Sequence, residues 1–330
     1  MDTESFEHAQ IAANGISIHT VSMGEGPLVL FCHGFPESWY SWRHQLPAVA
    51  QAGFKAMALD MRGYGRTSAP AAIGAYTVSH LVADVVAVVA ASGADQAVVV
   101  GHDWGAPVAW YSALMRPDVF RAVAALSVPY IAPIGGLPEG VTMNDLMRAG
   151  AGGREYYRLY FQEPGVAEAD LEADIDRFLR GFLYTISGDI VADGVHQSGW
   201  DGHFPLGQGF VEQLVLPDRL PSWLTEDDVA FYVSEFSGSG FRGGLNWYRN
   251  INALPAVLGP FVGAVINQPA LYLGGEHDLI AGNTAEALSA LPAAVPGLRD
   301  MQVLPGAGHW LQQERSREVN EALVAFLTSL

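Results

Sequence analysis

The sequence is poor in cysteine, in lysine and in long apolar runs, and each shortage excludes a class of protein. Cys32 is the only cysteine among the 330 residues, so the chain can form neither an intrachain disulfide nor a metal site built from cysteines. Lys55 is the only lysine, and the formal net charge of -18 argues against nucleic acid or an anionic membrane as a partner. The composition leaves the oligomeric state open.

The sequence contains no recognisable targeting or membrane-spanning segment. Its start, Met1-Asp2-Thr3-Glu4-Ser5, lacks the basic and apolar regions of a signal peptide. No apolar run is long enough to cross a bilayer, and we therefore expect a cytoplasmic protein. Because half of the residues are apolar, the chain can bury one large core, or a core with an inserted subdomain.

One short stretch, residues 98–107, organises the rest of the chain. It reads VVVGHDWGAP, a β-branched run that stops at a glycine and is followed by a helical pattern. This pattern is typical of a nucleophile elbow, in which Gly101 and Gly105 avoid a collision across a sharp turn with Asp103 at its apex. The alternative is an acidic residue in a surface turn.

An aspartate at the apex of such a turn predicts a particular chemistry. A serine that attacked an alkyl carbon would become a stable ether, whereas Asp103 would become an ester that water can cleave at the carboxyl carbon. Asp103 therefore predicts substrates that are opened at an sp3 carbon, and it excludes the chemistry of serine esterases and lipases.

Strand and helix patterns alternate at both ends of the chain and are interrupted in the middle. Alternation of this kind predicts an α/β fold, in which a mostly parallel central sheet is flanked by helices and binds ligands beyond its strand ends. The interruption consists of helical periods and glycine-rich loops, which indicate an inserted helical cap. We expect a core domain of residues 1–130 and 263–330 and a cap of residues 131–262. The predicted strands cover residues 16–21, 27–32, 55–59, 98–100, 123–128, 269–274 and 301–304.

Three polar residues follow predicted core strands in the order nucleophile, acid, histidine. Asp103, Asp278 and His309 thus have the order of the α/β-hydrolase arrangement. In that arrangement His309 would remove a proton from a water molecule, and Asp278 would orient its ring and stabilise the imidazolium. Taken singly, Asp278 could be a solvated turn residue with Glu276 in its place, and His309 could be a loop histidine.

The turn after the second predicted strand, residues 33–38, adds a candidate oxyanion hole. Gly34 lets the backbone approach closely, and the N–H of Phe35 could point toward the elbow together with the N–H of Trp104. We interpret His33 as a structural histidine that holds its own loop.

Five motifs match one known family, namely HGFPES at 33–38, GHDWG at 101–105, YRLYFQEPG at 157–165, GFRGGLNWYRN at 240–250 and GHW at 308–310. With these motifs the chain resembles the α/β-hydrolase-fold epoxide hydrolases over nearly its whole length, in particular the hydrolase domain of the soluble enzymes. The resemblance implies that the enzyme opens an epoxide to a vicinal diol, with water as co-substrate and with neither a metal nor another cofactor.

The cap motifs of that family imply two tyrosines that act on the epoxide oxygen. By motif alignment these are Tyr157 and Tyr248. A phenol with a pKa of roughly 10 is protonated at neutral pH, so it can donate a hydrogen bond to the ring oxygen and protonate it as the ring opens. Tyr156, Tyr160 and Tyr232 are the alternative candidates, and all of these tyrosines could be ordinary core aromatics.

Three other functions compete with this interpretation. Haloalkane dehalogenases also have a tryptophan after the aspartate, as Trp104 here, but usually carry asparagine at the place of Phe35. Fluoroacetate dehalogenases place arginines where this chain has Trp104 and Pro107. A noncatalytic receptor of the same fold could retain the triad.

The aromatic-rich cap predicts an apolar pocket for aryl or alkyl epoxides, with candidate wall residues Trp39, Trp104, Trp247 and Trp310.

Overall fold

A computed structural model describes residues 6–133, 135–279 and 285–330. The expectation about a signal peptide concerns Met1 to Ser5, which lie outside the described residues. Within the described part, one sheet has eight strands in the order β1-β2-β4-β3-β5-β6-β9-β10, and β7 pairs with β8 separately. The strands are β1 (Glu7–Ala13), β2 (Ile16–Met23), β3 (Leu28–Cys32), β4 (Lys55–Leu59), β5 (Ala97–His102), β6 (Phe120–Leu126), β7 (Glu155–Tyr156), β8 (His203–Phe204), β9 (Ala270–Gly275) and β10 (Leu298–Leu304).

The sheet confirms the predicted α/β class. Strands β3 to β6, β9 and β10 pair in parallel, while β1 and β2 add an antiparallel edge. The central strands β3, β5 and β9 are buried along their whole length, which explains why they are continuous apolar runs. Strand β1 was not predicted, because at the edge of the sheet its residues are mostly exposed and its sequence, EHAQIAA, lacks the continuous apolar run of the central strands.

Helices surround this sheet and fill the long interruption between β6 and β9. In the described residues, no helix is long and apolar enough to cross a membrane. The α-helices are α1 (Gln45–Gln51), α2 (Val78–Ala91), α3 (Gly105–Met115), α4 (Met143–Gly150), α5 (Tyr157–Tyr160), α6 (Val166–Glu172), α7 (Ile175–Thr185), α8 (Asp189–Ala192), α9 (Glu226–Ser239), α10 (Arg242–Arg249), α11 (Leu254–Leu258), α12 (Ala285–Ala294), α13 (Leu311–Glu314) and α14 (Ser316–Thr328). Short 3-10 helices cover Trp39–Trp42, Ile73–Tyr76, Val211–Gln213, Ile251–Ala253 and Gly259–Phe261.

The segment that contains α4 to α11 packs against loops of the sheet. The Tyr40 hydroxyl donates to Asp228 at 2.9 Å, and the Arg43 guanidinium lies 3.1 Å from the same carboxylate. The Trp247 indole N–H donates to the Arg62 carbonyl oxygen at 3.0 Å. These buried polar contacts fix α9 and α10 over the loops that follow β3 and β4. The division into a core and a cap at residues 131–262 stays a prediction.

Candidate active site

The turn between β5 and α3 is tight enough to require glycine on both sides of Asp103. A Cβ on Gly101 would collide with the carbonyl oxygen of Gly105, and a Cβ on Gly105 would collide with the carbonyl oxygen of Cys32. Asp103 has a φ of 49°, in the left-handed region that few non-glycine residues occupy. The turn therefore presents the Asp103 side chain at the carboxyl end of the sheet.

The two carboxylate oxygens of Asp103 have different neighbours. Oδ1 accepts the backbone N–H of Phe35 at 2.8 Å, whereas Oδ2 lies 3.6 Å from Nε2 of His309. Gly34 allows this approach, since a Cβ there would collide with the carboxyl group. Burial disfavours the charge of Asp103, but the nearby histidines and the Phe35 N–H outweigh it and hold its pKa below the ordinary value.

His309 lies between two carboxylates. Its Nδ1 is 3.0 Å from Oδ2 of the buried Asp278, which leaves Nε2 facing Asp103. Burial opposes the charge of His309, but Asp278 and Asp103 outweigh it and raise its pKa to about 10. Glu276, the alternative partner, instead accepts the backbone N–H of Gly306 at 2.8 Å and is exposed.

A partly buried glutamate that the sequence interpretation missed holds the histidine loop. Glu314 accepts the backbone N–H groups of Gly308 at 2.7 Å, Trp310 at 2.9 Å and Gly188 at 3.0 Å. Burial raises the pKa of Glu314 to about 7, although the three donors favour its charged form. Because Gly188 belongs to the inserted segment, this one carboxylate joins that segment to the loop of His309. In the sequence, the available signal for this role was the position of Glu314, an acidic residue a few positions after the Gly308-His309 pair.

Glu37 and His102 form a buried pair, which the sequence interpretation also missed, and this pair links the elbow to two neighbouring loops. His102 lies 2.8 Å from Oε2 of Glu37 and 2.8 Å from the carbonyl oxygen of His309. The same Glu37 oxygen accepts the N–H of Gly34 at 2.7 Å. Glu37 and His102 therefore fix the loop of Phe35 and the loop of His309 to each other. Both residues belong to recognisable motifs, but their partnership requires the tertiary structure.

His33 has the bonding of a structural histidine. Its Nε2 accepts the Met61 N–H at 2.9 Å, so its Nδ1 carries the proton and donates to the Gly34 carbonyl oxygen at 2.8 Å. Both ring nitrogens are used within its own loop and the next one.

The structure brings the two cap tyrosines together near the elbow. The ring centroids of Tyr157 and Tyr248 are 6.0 Å apart, and the Tyr248 ring lies 5.5 Å from Phe35 and 5.1 Å from Trp104. Both side chains are buried, and burial raises the pKa of both phenols, so they are protonated at neutral pH. The Tyr157 hydroxyl accepts a hydrogen bond from Nε of Arg158 at 2.9 Å.

The three alternative tyrosines make other contacts. The Tyr160 hydroxyl donates to Asp170 at 3.0 Å, and the Tyr232 hydroxyl bonds to Ser41 at 2.8 Å. Tyr156 stacks on His203 with ring centroids 4.6 Å apart, and one edge of it lines the cavity described next. The first two hydroxyls are thus engaged away from the elbow.

A cavity of about 300 Å³ opens beside Asp103 and is mostly apolar. Trp104 and Trp247, two of the candidate wall residues, line it. Trp39 and Trp310 do not line this cavity, and neither do Tyr157, Tyr248 and His309. Trp39 is buried and packs edge-on against Tyr40, Phe6 and Phe231, while Trp310 is buried and its indole N–H donates to the Leu183 carbonyl oxygen at 2.9 Å.

Comparison with known proteins identifies similar chains. A family model described as alpha/beta hydrolase fold matches residues 27–316. Epoxide hydrolase A of Mycobacterium tuberculosis is 41% identical over 97% of both chains, and Epoxide hydrolase 2 of Siraitia grosvenorii is 38% identical over 98% of this chain and 99% of that protein. An epoxide hydrolase structure from an endophytic Streptomyces superposes with a TM-score of 0.92 at 46% identity, covering 98% of this chain and 96% of that one. The crystal structure of Epoxide Hydrolase A from Mycobacterium thermoresistibile superposes with a TM-score of 0.88 at 41% identity, covering 98% of each.

Proposed function

The chain belongs to the epoxide hydrolases of the α/β-hydrolase fold, and we propose that it opens the epoxide through a covalent ester on Asp103. Water activated by His309 and Asp278 then cleaves that ester. The observation that carries the proposal is the unequal setting of the two Asp103 oxygens, one on the Phe35 N–H at 2.8 Å and the other 3.6 Å from His309.

In the first half-reaction, Oδ2 of Asp103 attacks one ring carbon from the side opposite the epoxide oxygen. The bond from that carbon to the ring oxygen breaks, and its electron pair stays on the oxygen. Tyr157 and Tyr248 hold this oxygen and supply a proton to it. Oδ1 remains on the Phe35 N–H and becomes the carbonyl oxygen of the ester.

In the second half-reaction, a water molecule attacks the ester carbonyl carbon while Nε2 of His309 takes its proton. Asp278 orients the ring through Nδ1 and stabilises the imidazolium. The negative charge that develops on Oδ1 is stabilised by the Phe35 N–H, with the Trp104 N–H as the proposed second donor. One such donor contributes about 3 kcal/mol in comparable sites. Collapse of the tetrahedral intermediate releases the diol.

The charge of Asp103 couples the two steps. In the free enzyme Asp103 is one of two carboxylates that raise the pKa of His309 to about 10. Esterification of Asp103 removes one of these charges, so the pKa of His309 falls when the base is needed. This coupling supports the assignment of His309 to the hydrolytic step.

The substrate class follows from the cavity. We propose aryl or alkyl epoxides, bound under a cap of residues 131–262, because the lining beside Asp103 is mostly apolar and includes Trp104 and Trp247. The proposed chemistry needs water and no cofactor. Turnover confined to small charged epoxides would contradict this substrate class.

The test is the intact mass of a His309→Gln variant after brief exposure to styrene oxide. Without its base the enzyme should stall as the ester, with a mass gain equal to the whole epoxide on the peptide that contains Asp103. The double variant with Asp103→Asn is the matched control and should gain nothing.

A haloalkane in a parallel sample tests the competing chemistry. An adduct from the haloalkane alone, lighter than the reagent by one hydrogen halide, would favour a dehalogenase mechanism. No adduct from either reagent, in a variant with a wild-type circular dichroism spectrum, would contradict the covalent mechanism.

A further inference from the structure

Arg158 contacts one of the two cap tyrosines directly. Its Nε–H donates to the Tyr157 hydroxyl oxygen at 2.9 Å, and its guanidinium carbon lies 5.5 Å from the Tyr157 ring centroid and 5.8 Å from that of Tyr156. Arg158 is partly buried and lines the cavity beside Asp103. The reaction proposed above assigns no role to the Arg158 guanidinium.

We propose that Arg158 is a positioning residue that makes Tyr157, rather than Tyr248, the proton donor to the departing epoxide oxygen. This inference rests on the proposed function and adds to it that the two tyrosines have different roles. Tyr248 then binds the oxygen by a hydrogen bond, and Tyr157 both binds and protonates it.

The first argument concerns the direction of the Tyr157 proton. A guanidinium has only donors, so the hydrogen bond from Arg158 occupies a lone pair of the Tyr157 oxygen and cannot receive its proton. The O–H bond must then point away from Arg158. Arg158 therefore leaves the proton of Tyr157 for an acceptor on the substrate.

The second argument concerns the phenolate that remains after proton transfer. Burial raises the pKa of both tyrosines, and the cation of Arg158 opposes that effect at both, but at Tyr157 it also donates a hydrogen bond to the hydroxyl oxygen. The ring of Tyr248 instead packs against Phe35, Trp104 and other aromatic rings. A charge-assisted hydrogen bond to the developing phenolate is stronger than one to the neutral phenol, so Arg158 stabilises the product of proton transfer at Tyr157.

The proton balance closes over the full cycle. Tyr157 gives its proton to the epoxide oxygen as the bond from Asp103 to carbon forms, which leaves a phenolate beside Arg158. Because esterification lowers its pKa, His309 first releases to solvent the proton that it holds in the free enzyme. One proton of the hydrolytic water then passes through Nε2 of His309 to the second diol oxygen, and the other leaves with the regenerated carboxyl group of Asp103 and restores the phenol. His309 takes up a proton from solvent again once Asp103 is charged. No oxidant or further reactant is required.

The test measures the rate of ester formation by mass spectrometry, in excess enzyme with styrene oxide, with every variant in the His309→Gln background. Arg158→Met should slow ester formation roughly tenfold or more, as expected for loss of a hydrogen bond to a charged group. Arg158→Met should cause the same loss when it is combined with Tyr248→Phe. When it is combined with Tyr157→Phe, it should change the rate less than about twofold, because the hydroxyl that Arg158 contacts is already absent.

Two further variants separate this role from general support of the fold. Arg158→Lys keeps the charge and should recover most of the rate. Arg154→Met removes a neighbouring surface arginine, which pairs with Asp201 at 3.0 Å, and should leave the rate unchanged. If Arg158→Met does not fold, Arg158→Gln takes its place with the same expected pattern.

The outcomes distinguish a failure of this inference from a failure of the proposed covalent mechanism on which it rests. An equal loss in the Tyr157→Phe and Tyr248→Phe backgrounds would overturn the role of Arg158, and so would a loss confined to the background that lacks Tyr157. Absence of ester in the His309→Gln parent itself would instead overturn the covalent mechanism.

Discussion

Gly34→Ala should disable ester hydrolysis, because this glycine lets the backbone touch the nucleophile. A Cβ at residue 34 would lie 2.7 Å from the carboxyl carbon of Asp103 and closer still to its Cβ and Oδ1. The closest carbon is the Asp103 Cβ, so restoring a carbon contact of about 3.5 Å requires a movement of roughly 1.1 Å. Such a movement stretches the 2.8 Å hydrogen bond from the Phe35 N–H beyond the usual range. Loss of one oxyanion donor costs about 10²–10³-fold in rate, or ~3–4 kcal/mol.

The assay follows ester formation and ester decay separately, by quenched-flow mass spectrometry with styrene oxide. We expect Gly34→Ala to accumulate the Asp103 ester and to hydrolyse it about 10²–10³-fold more slowly than the wild type. Gly238→Ala is the matched control, since a Cβ on Gly238 in α9 meets open space. A folded Gly34→Ala enzyme that hydrolyses the ester at the wild-type rate would refute the reasoning.

Three further predictions follow from the same geometry. Asp278→Asn should lower the rate of ester hydrolysis by roughly 10³–10⁴-fold, as in comparable triads, and Glu276→Gln should change it little; single-turnover decay of the ester checks both. Because the folded pKa of His309 is raised from about 6.5 to about 10, its stabilising effect is complete below pH 6.5 and is lost as the pH rises toward 10. Urea unfolding should therefore show that the free energy of unfolding falls less between pH 6 and 10 in Asp103→Asn than in the wild type, because one of the two carboxylates is absent. Parallel plots of this free energy against pH for the two proteins would contradict the proposed coupling. Met147→Trp should fill part of the cavity and raise KM for trans-stilbene oxide more than for styrene oxide; equal effects on both substrates would argue against this binding region.

The predicted fold was confirmed because its signals are local. Continuous apolar strands such as β3 and β5 can only be buried on both faces, and the glycines around Asp103 report a turn that no other residue permits. A capping box at the start of α9 is a further local signal, since the Thr225 hydroxyl accepts from the Asp228 N–H. Strand β1 was not predicted because its residues, at the edge of the sheet, are mostly exposed and form no continuous apolar run.

The pocket was harder to predict, because burial alone does not tell a core aromatic from a wall residue. Trp39, Trp104, Trp247 and Trp310 look equivalent in the sequence, yet only the middle two line the cavity. Which face of a ring meets solvent depends on its neighbours in space, and for Trp310 these include the Leu183 carbonyl oxygen, far away along the chain.

Spacing and residue type along the chain were thus sufficient for the fold and for the order of Asp103, Asp278 and His309, while the family came from the resemblance of five motifs. They could not choose between Asp278 and Glu276, because both follow β9 within three residues and only packing turns one of them toward Nδ1 of His309. Nor could they assign a partner to Arg158, whose hydrogen bond to Tyr157 depends on side-chain directions set by the surrounding rings. Local patterns encode backbone turns and burial, whereas pairings between side chains arise when distant segments pack together.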